Sequence, residues 1–248
     1  MSITLTREPN RPHVAHLRLD FNELNLLTIA EANAFRERIL ELSDNAAVLT
    51  TTAEQADSTE DVRGLSAGLN LEWARSLGAH AGQELLQALY EMIEAIRRLD
   101  AVVVCGCGSY TLGAGFELAL ACEFRVATRE ARLGLPEVNV GLPTVIHGGL
   151  LTRFVGLQTA NELIYTGETI SGERARELEL VNRAVAPDEY DAELDALVER
   201  LAEKPPNVLK TQKRVMRRFR SVGLERGMSA SVGDMGRVFG TDEQREAM

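Results

Sequence analysis

Between residues 13 and 21 the chain alternates, with Ala15, Leu17 and Leu19 on one side and Val14, His16 and Arg18 on the other. A period of two predicts a strand. Thr28 then stands where a cap would begin a helix running to about Leu42, with Ile29, Phe35, Ile39 and Leu42 at near-helical spacing. Residues 46–51 read as a short buried strand, and the polar, acidic stretch 53–63 reads as a loop. The strongest helical signal spans 82–99, where Leu85, Leu86, Leu89, Met92, Ile93, Ile96 and Leu99 mark one face. Asp100 ends it, and residues 101–104 begin a buried strand.

The run 106–115 is rich in glycine and reads as a turn, 116–122 as helix, 124–127 and 131–135 as two strands, and 136–143 as loop. The last hundred residues are mostly helical: 158–165, 171–178 and 187–202 each carry a cap and an apolar stripe. Pro205-Pro206 breaks the chain before a further helix to about Arg220. Strands alternating with helices, followed by a helical third, predict an α/β domain with a helical appendage.

Composition narrows this picture. The 248 residues are 45% hydrophobic and only 5% aromatic, so one core is built mainly from Leu, Val, Ile and Ala. The net charge of −10 disfavours a general nucleic-acid binder. Cys105, Cys107 and Cys122 give no disulfide framework, and Cys105-Gly106-Cys107 lacks a second ligand pair for a metal. They read as buried core thiols. Residues 1–11 carry no signal-peptide core, and no apolar run approaches the ~20 residues of a membrane span. The expectation is a soluble cytoplasmic protein without membrane contact and without a metal.

Several segments carry candidate chemistry. Gly64-Leu65-Ser66-Ala67-Gly68 fits the G-x-S-x-G elbow of serine hydrolases, with Asp100 and His147 as conceivable partners. The residues before it are loop-like, which favours a glycine-flanked loop whose N–H groups face a ligand. Leu112-Gly113-Ala114-Gly115-Phe116-Glu117 opens a helix, where unpaired N–H groups and a partial positive charge suit an oxyanion. The dinucleotide pattern fails because Leu118 occupies the third glycine position. Glu117 and Glu137 are lone carboxylates among apolar neighbours, each beside a glycine-containing turn. Each alone reads as an ordinary helix or loop glutamate; two so placed suggest an acid/base pair. His147 is a minor candidate. Lys204, Lys210, Lys213, Arg214, Arg217, Arg218 and Arg220 form a basic run without an acid. It reads first as a solvated face or a local counter-charge for phosphates or for a partner subunit, and second as an RNA-binding helix.

These segments together resemble the crotonase, or enoyl-CoA hydratase/isomerase, superfamily. The matching stretches are 65–71, 109–122 and 133–143, with a later one from Tyr165-Thr166-Gly167 through Leu180-Val181-Asn182. They keep order and spacing over about residues 14–240. The resemblance implies a crotonase-like spiral of repeated ββα units in residues 1–190 and a helical trimerisation region in 191–248. It implies that the backbone N–H groups of Leu69 and Ala114 form an oxyanion hole for a thioester carbonyl. Ser66, Ala67, Gly68, Asn70, Leu71 and Gly113 then contact substrate or CoA, and Glu117 and Glu137 fall on the two family glutamates. The expected activity is hydration of a 2-enoyl-CoA by a homotrimer or dimer of trimers, with no cofactor beyond the CoA of the substrate. Isomerisation, thioester hydrolysis and CoA binding with little catalysis are the alternatives.

The chain departs from the family pattern in places. Asn70 stands where many relatives carry Asp, which touches the hydrogen bonding of that loop. Ala114 replaces a frequent glycine. Cys107-Gly108-Ser109-Tyr110 replaces a common Asn-Gly-Tyr turn, and 51–63 is longer and more acidic than usual. The tail to Met248 is shorter than in many relatives, which bears on contacts to a neighbour's CoA.

Overall fold

The computed structural model describes residues 2–42, 46–55 and 62–247. Six strands form one sheet whose spatial order is the chain order: β1 (Ser2–Glu8), β2 (Arg11–Asp20), β3 (Val48–Ala53), β4 (Val102–Leu112), β5 (Phe124–Gly134) and β6 (Arg183–Val185). β1 and β2 are antiparallel, and every later pair is parallel. Parallel neighbours require crossovers. These are α1 (Ile29–Glu41), α2 (Leu71–Ala74) with α3 (Ala79–Arg98), α4 (Ala114–Ala121), and α5 (Leu151–Thr166) with α6 (Gly172–Glu177). Short extended segments add a second set of bridges beside the main sheet, Leu27 to Leu69, Ser66 to Thr111 and Leu133 to Ile170. Long strand, short bridge and helix thus recur, as the ββα spiral requires.

Local chemistry explains the element starts. Thr28 caps α1 through a capping box: its hydroxyl accepts from Ala30 N–H at 3.1 Å, and Glu31 accepts from Thr28 N–H at 2.9 Å. Asn70 caps α2 by accepting from Trp73 N–H at 3.0 Å, so the amide fills the capping role at that loop residue.

The sheet buries both faces. Ala15, Leu17, Leu19, Leu49, Val103, Cys105 and Ala127 pack toward α1, α3 and α4 in the main core, with all three cysteines buried there as free thiols. On the other face Val14, Val48, Val104 and Val126 meet Tyr190, Leu194, Leu197 and Val198 of α7 (Tyr190–Ala202). The start of the C-terminal region therefore shares the core of the strands. Three further helices follow, α8 (Pro206–Val222), α9 (Leu224–Gly236) and α10 (Asp242–Ala247). Among the described residues, no helix is long and apolar enough to cross a membrane.

Three expectations need correction. The glycine-rich run from 106 is not a turn: β4 continues through it to Leu112, with register shifts at Gly106/Gly108 and Gly108/Tyr110. Gly108 has φ +63, and a side chain there would collide with the Arg63 carbonyl. Residues 124–134 form one strand, with the charged pair Arg129 and Glu130 exposed midway. The helix at 158–165 is the second half of α5, which starts at Leu151 and is interrupted at Gly156 (φ +73). Strands β1 and β6 and helices α2, α9 and α10 carried no reading. The acidic loop expected at 53–63 lies partly outside the described residues, at 56–61.

Candidate active site

Two chain segments meet to form the site. Leu112 N–H donates to Ser66 O at 2.9 Å, and Leu65 N–H to Cys107 O at 3.1 Å, which lays the 65–69 loop beside the end of β4. Gly68 has φ +89, and a Cβ there would lie 2.9 Å from Leu112 O and 3.6 Å from Ala114 N. Only glycine allows this approach. Gly113, with φ +55 and ψ −130, turns the chain from β4 into α4; its N–H is held by Gly134 O at 3.0 Å.

This packing leaves the N–H groups of Leu69 and Ala114 free. Ala114 opens α4, so it has no partner within the helix. Around Leu69, Gly68 O accepts from Leu27 N–H and Asn70 N–H donates to Leu27 O, while Leu69 N–H makes no backbone bond among the described residues. Both residues line one cavity of about 110 Å³, together with Leu86, Leu89, Glu117, Glu137, Leu142, Pro143, Val145 and Ile146. The structure thus brings the two proposed donors and the two glutamates to one apolar space.

Glu117 sits in the first turn of α4 and is 2% exposed. Burial, reinforced by the nearby Glu137 carboxylate, raises its pKa to about 7. The backbone N–H groups of His147 and Gly148 oppose that rise, the first at 3.0 Å from Oε1. Glu137 opens a single 3-10 turn, Glu137–Val140. Burial also raises its pKa, against a hydrogen bond to Oε2 from the Thr144 hydroxyl at 2.9 Å. Two carboxylates in one low-dielectric space do not both ionise readily, so the pair can hold one proton and pass it on.

The other expected residues have varied positions. The Ser66 hydroxyl is buried, donating to Asn25 O at 2.7 Å and accepting from Gly68 N–H at 3.0 Å. Among the described residues no strand directly precedes it and no histidine hydrogen-bonds to it, so the geometry does not support the hydrolase elbow. Ala67 N–H is held by Leu24 O at 2.9 Å, Asn70 caps α2, and Leu71 begins α2 and is 37% exposed. Ser66, Ala67, Asn70 and Leu71 lie on the segment that carries Leu69 but do not line the cavity.

His147 does not line it either. Its ring is buried, with Nε2 3.0 Å from Glu94 Oε1 of α3, and it stacks on Tyr90. The basic run is a counter-charge to the chain's own acids. Arg214 and Arg217 each meet Asp100 at 2.9 Å, Lys213 meets Glu123 at 2.8 Å, and Arg218 pairs with Asp234.

Sequence reasoning missed Thr144 and Glu94. Thr144 leaves no pattern in the chain, and the spacing of Glu94 to Arg97 and Arg98 marks helix-face ion pairs but not its contact with His147. Leu86 did carry a signal that was misread. It was grouped with the core stripe of α3, yet it is 41% exposed and lines the cavity.

The comparisons with known proteins agree with this geometry. The enoyl-CoA hydratase/isomerase family profile matches residues 25–248. A crotonyl-CoA hydratase from Syntrophomonas wolfei is 32% identical over 187 residues, covering 73% of this chain and 70% of its own. A short-chain-enoyl-CoA hydratase from Clostridium acetobutylicum is 26% identical over 229 residues, covering 92% and 85%. The solved structure of an enoyl-CoA hydratase from Bacillus anthracis superposes with a TM-score of 0.90 at 25% identity, over 100% of this chain and 94% of that one. With the fold, the paired glutamates and these likenesses in agreement, the chain belongs to the enoyl-CoA hydratase/isomerase family of the crotonase superfamily.

Proposed function

We propose that this protein adds water across the double bond of a short-chain 2-enoyl-CoA. The observation that carries the reading is the single cavity shared by Glu117, Glu137, Leu69 and Ala114. A thioester carbonyl placed between the N–H groups of Leu69 and Ala114 is polarised. Charge then flows from the double bond toward that oxygen, Cβ becomes electrophilic, and the enolate oxygen is held by both donors. The ionised carboxylate of the pair draws a proton from water as its oxygen bonds to Cβ, and the protonated one delivers a proton to Cα. Each transfer contributes roughly 10²–10⁴-fold when well placed. The reaction moves only water and protons, so it calls for no cofactor besides the CoA of the substrate.

The size of the cavity supports a short acyl group. A protein cavity of about 150 Å³ holds a benzene ring, and this one measures about 110 Å³. An acyl group smaller than that ring, of about four carbons, fits this space.

In this reading the enzyme works in the cytoplasm as a homotrimer or dimer of trimers. Leu224, Met228, Val232 and Met235 lie at helical spacing along one side of α9 and are exposed, an apolar stripe suited to a subunit contact, and Phe239 is exposed just beyond the helix. The activity test is loss of the conjugated-thioester absorbance of crotonyl-CoA. No turnover across several chain lengths overturns hydration, and a shifted double bond without incorporation of ¹⁸O from labelled water shows isomerisation instead.

A further inference from the structure

One loop, residues 141–150, holds both site carboxylates. Its Thr144 hydroxyl donates to Glu137 Oε2, and its His147 N–H donates to Glu117 Oε1. The loop is fixed at His147, whose side chain is only 4% exposed. The Nε2 atom lies 3.0 Å from Glu94 Oε1, and the ring stacks on Tyr90 with centroids 5.2 Å apart and planes 15° from parallel. Glu94 is itself pinned on α3 by Arg97 and, at 3.2 Å, by Arg98.

The geometry points to His147 and Glu94 as a positioning pair that aims the His147–Gly148 N–H groups at Glu117 and so decides which of its oxygens carries the proton. With Oε1 occupied as an acceptor, the proton of Glu117 resides on Oε2. The pair makes no contact with the cavity and is not itself catalytic.

The protonation states are consistent with this role. Glu94 is held below the usual carboxylate range by His147 and Arg97 in spite of its burial, and burial pulls His147 down toward the neutral form. A neutral ring donating from Nε2 leaves Nδ1 without a proton, and Nδ1 has no hydrogen-bond partner among the described residues. The titratable groups facing Glu117 are Glu137 from the 137–140 turn and His147 from the loop; Glu94 and Arg97 of α3 face His147 in turn.

This inference rests on the hydratase reading for its kinetic consequence, but its structural core is testable without turnover. Glutamate carboxyls labelled with ¹³C are titrated by NMR, with Glu117→Gln identifying the Glu117 signal. His147→Leu keeps bulk and loses the donor, and should raise the Glu117 pKa by about 1–2 units as its N–H donors withdraw. Glu94→Ala should do the same, and the double variant should be no worse than either single one. His147→Gln, which keeps a donor toward Glu94, should restore most of the wild-type titration. In crotonyl-CoA hydration, kcat should fall roughly 10–100-fold in His147→Leu with KM within about two-fold. A folded His147→Leu whose Glu117 titrates at or below the wild-type position overturns the inference, as does full additivity of the two single variants. If the wild type hydrates no enoyl-CoA, the hydratase reading fails, and the titration still decides this one.

Discussion

Charge is buried under α8 and again at the cavity, by opposite means. Lys213 is 3% exposed, yet its ammonium meets Glu123 at 2.8 Å and Ala101 O at 2.7 Å. Burial pulls its pKa down, and Glu123 pulls it back up. Glu117 is equally buried, but its neighbour is a second carboxylate, and its described partners are backbone N–H groups. The first arrangement is neutralised and acts as an anchor, tying α8 to the ends of α3 and α4. The second is left unneutralised, which puts a proton equilibrium near pH 7 inside an apolar pocket. Comparable burial therefore gives a structural joint or a proton-handling site according to the sign of the neighbour.

The comparison breaks most sharply in activity. Glu117→Gln and Glu137→Gln should each lower the hydration rate by about 10²–10⁴-fold with unchanged circular dichroism, and a near-normal rate in both removes the proton-transfer role. At the anchor the effect moves to stability. Lys213→Met leaves the partly buried Glu123 with the Val103 N–H at 3.0 Å and Arg220 at 3.9 Å, and should cost about 3 kcal/mol in urea unfolding, with kcat per folded molecule unchanged.

The third test joins the two regions. The folded pKa of Glu117 is raised from 4.5 to about 7, so between those values the folded state keeps a proton that the unfolded chain has released. Stability therefore falls as pH climbs through that window, by about 3 kcal/mol in total. Glu117→Gln should remove this loss: a gain of that order at pH 8 that vanishes near pH 4, measured by urea titration at each pH. The smallest effect belongs to Thr144→Val. It removes one hydrogen bond to Glu137, should raise the pKa of that carboxyl further, and should slow turnover by about 5–10-fold.

Much of this was legible in the residues. Thr28, Ile29, Phe35 and Ile39 marked α1 because a cap and a 3.6-residue period are local signals. The same 3.6-residue period marks α3 and α7. The 65–71 and 112–117 segments were recognisable because close backbone approach demands glycine at 68 and 113. Other features depended on partners distant in sequence. Gly106 and Gly108 resembled a turn, but the strand passes through them because Tyr190 of α7 and the Arg63 carbonyl pack where side chains would be. Strand β1 is an edge strand whose inward residues, Ile3 and Leu5, are only partly buried, so its alternation is faint without β2 beside it. The basic run suggested a counter-charge, but its partners Asp100, Glu123 and Asp234 come opposite it only in the fold.

The sheet order has a consequence for how the molecule is made. Because β1 to β6 stand side by side in the order of synthesis, each strand leaves the ribosome with its docking edge already present. No strand has to wedge between two others, and every strand pairing is with the strand made just before. The sheet can grow by accretion at one edge. Glu117 arrives with the fourth strand, Glu137 after the fifth, and Lys213 comes last to lock Glu123 and Ala101 in place. A nascent chain stalled before α8 would therefore hold both carboxylates while still lacking the clasp that makes the fold durable.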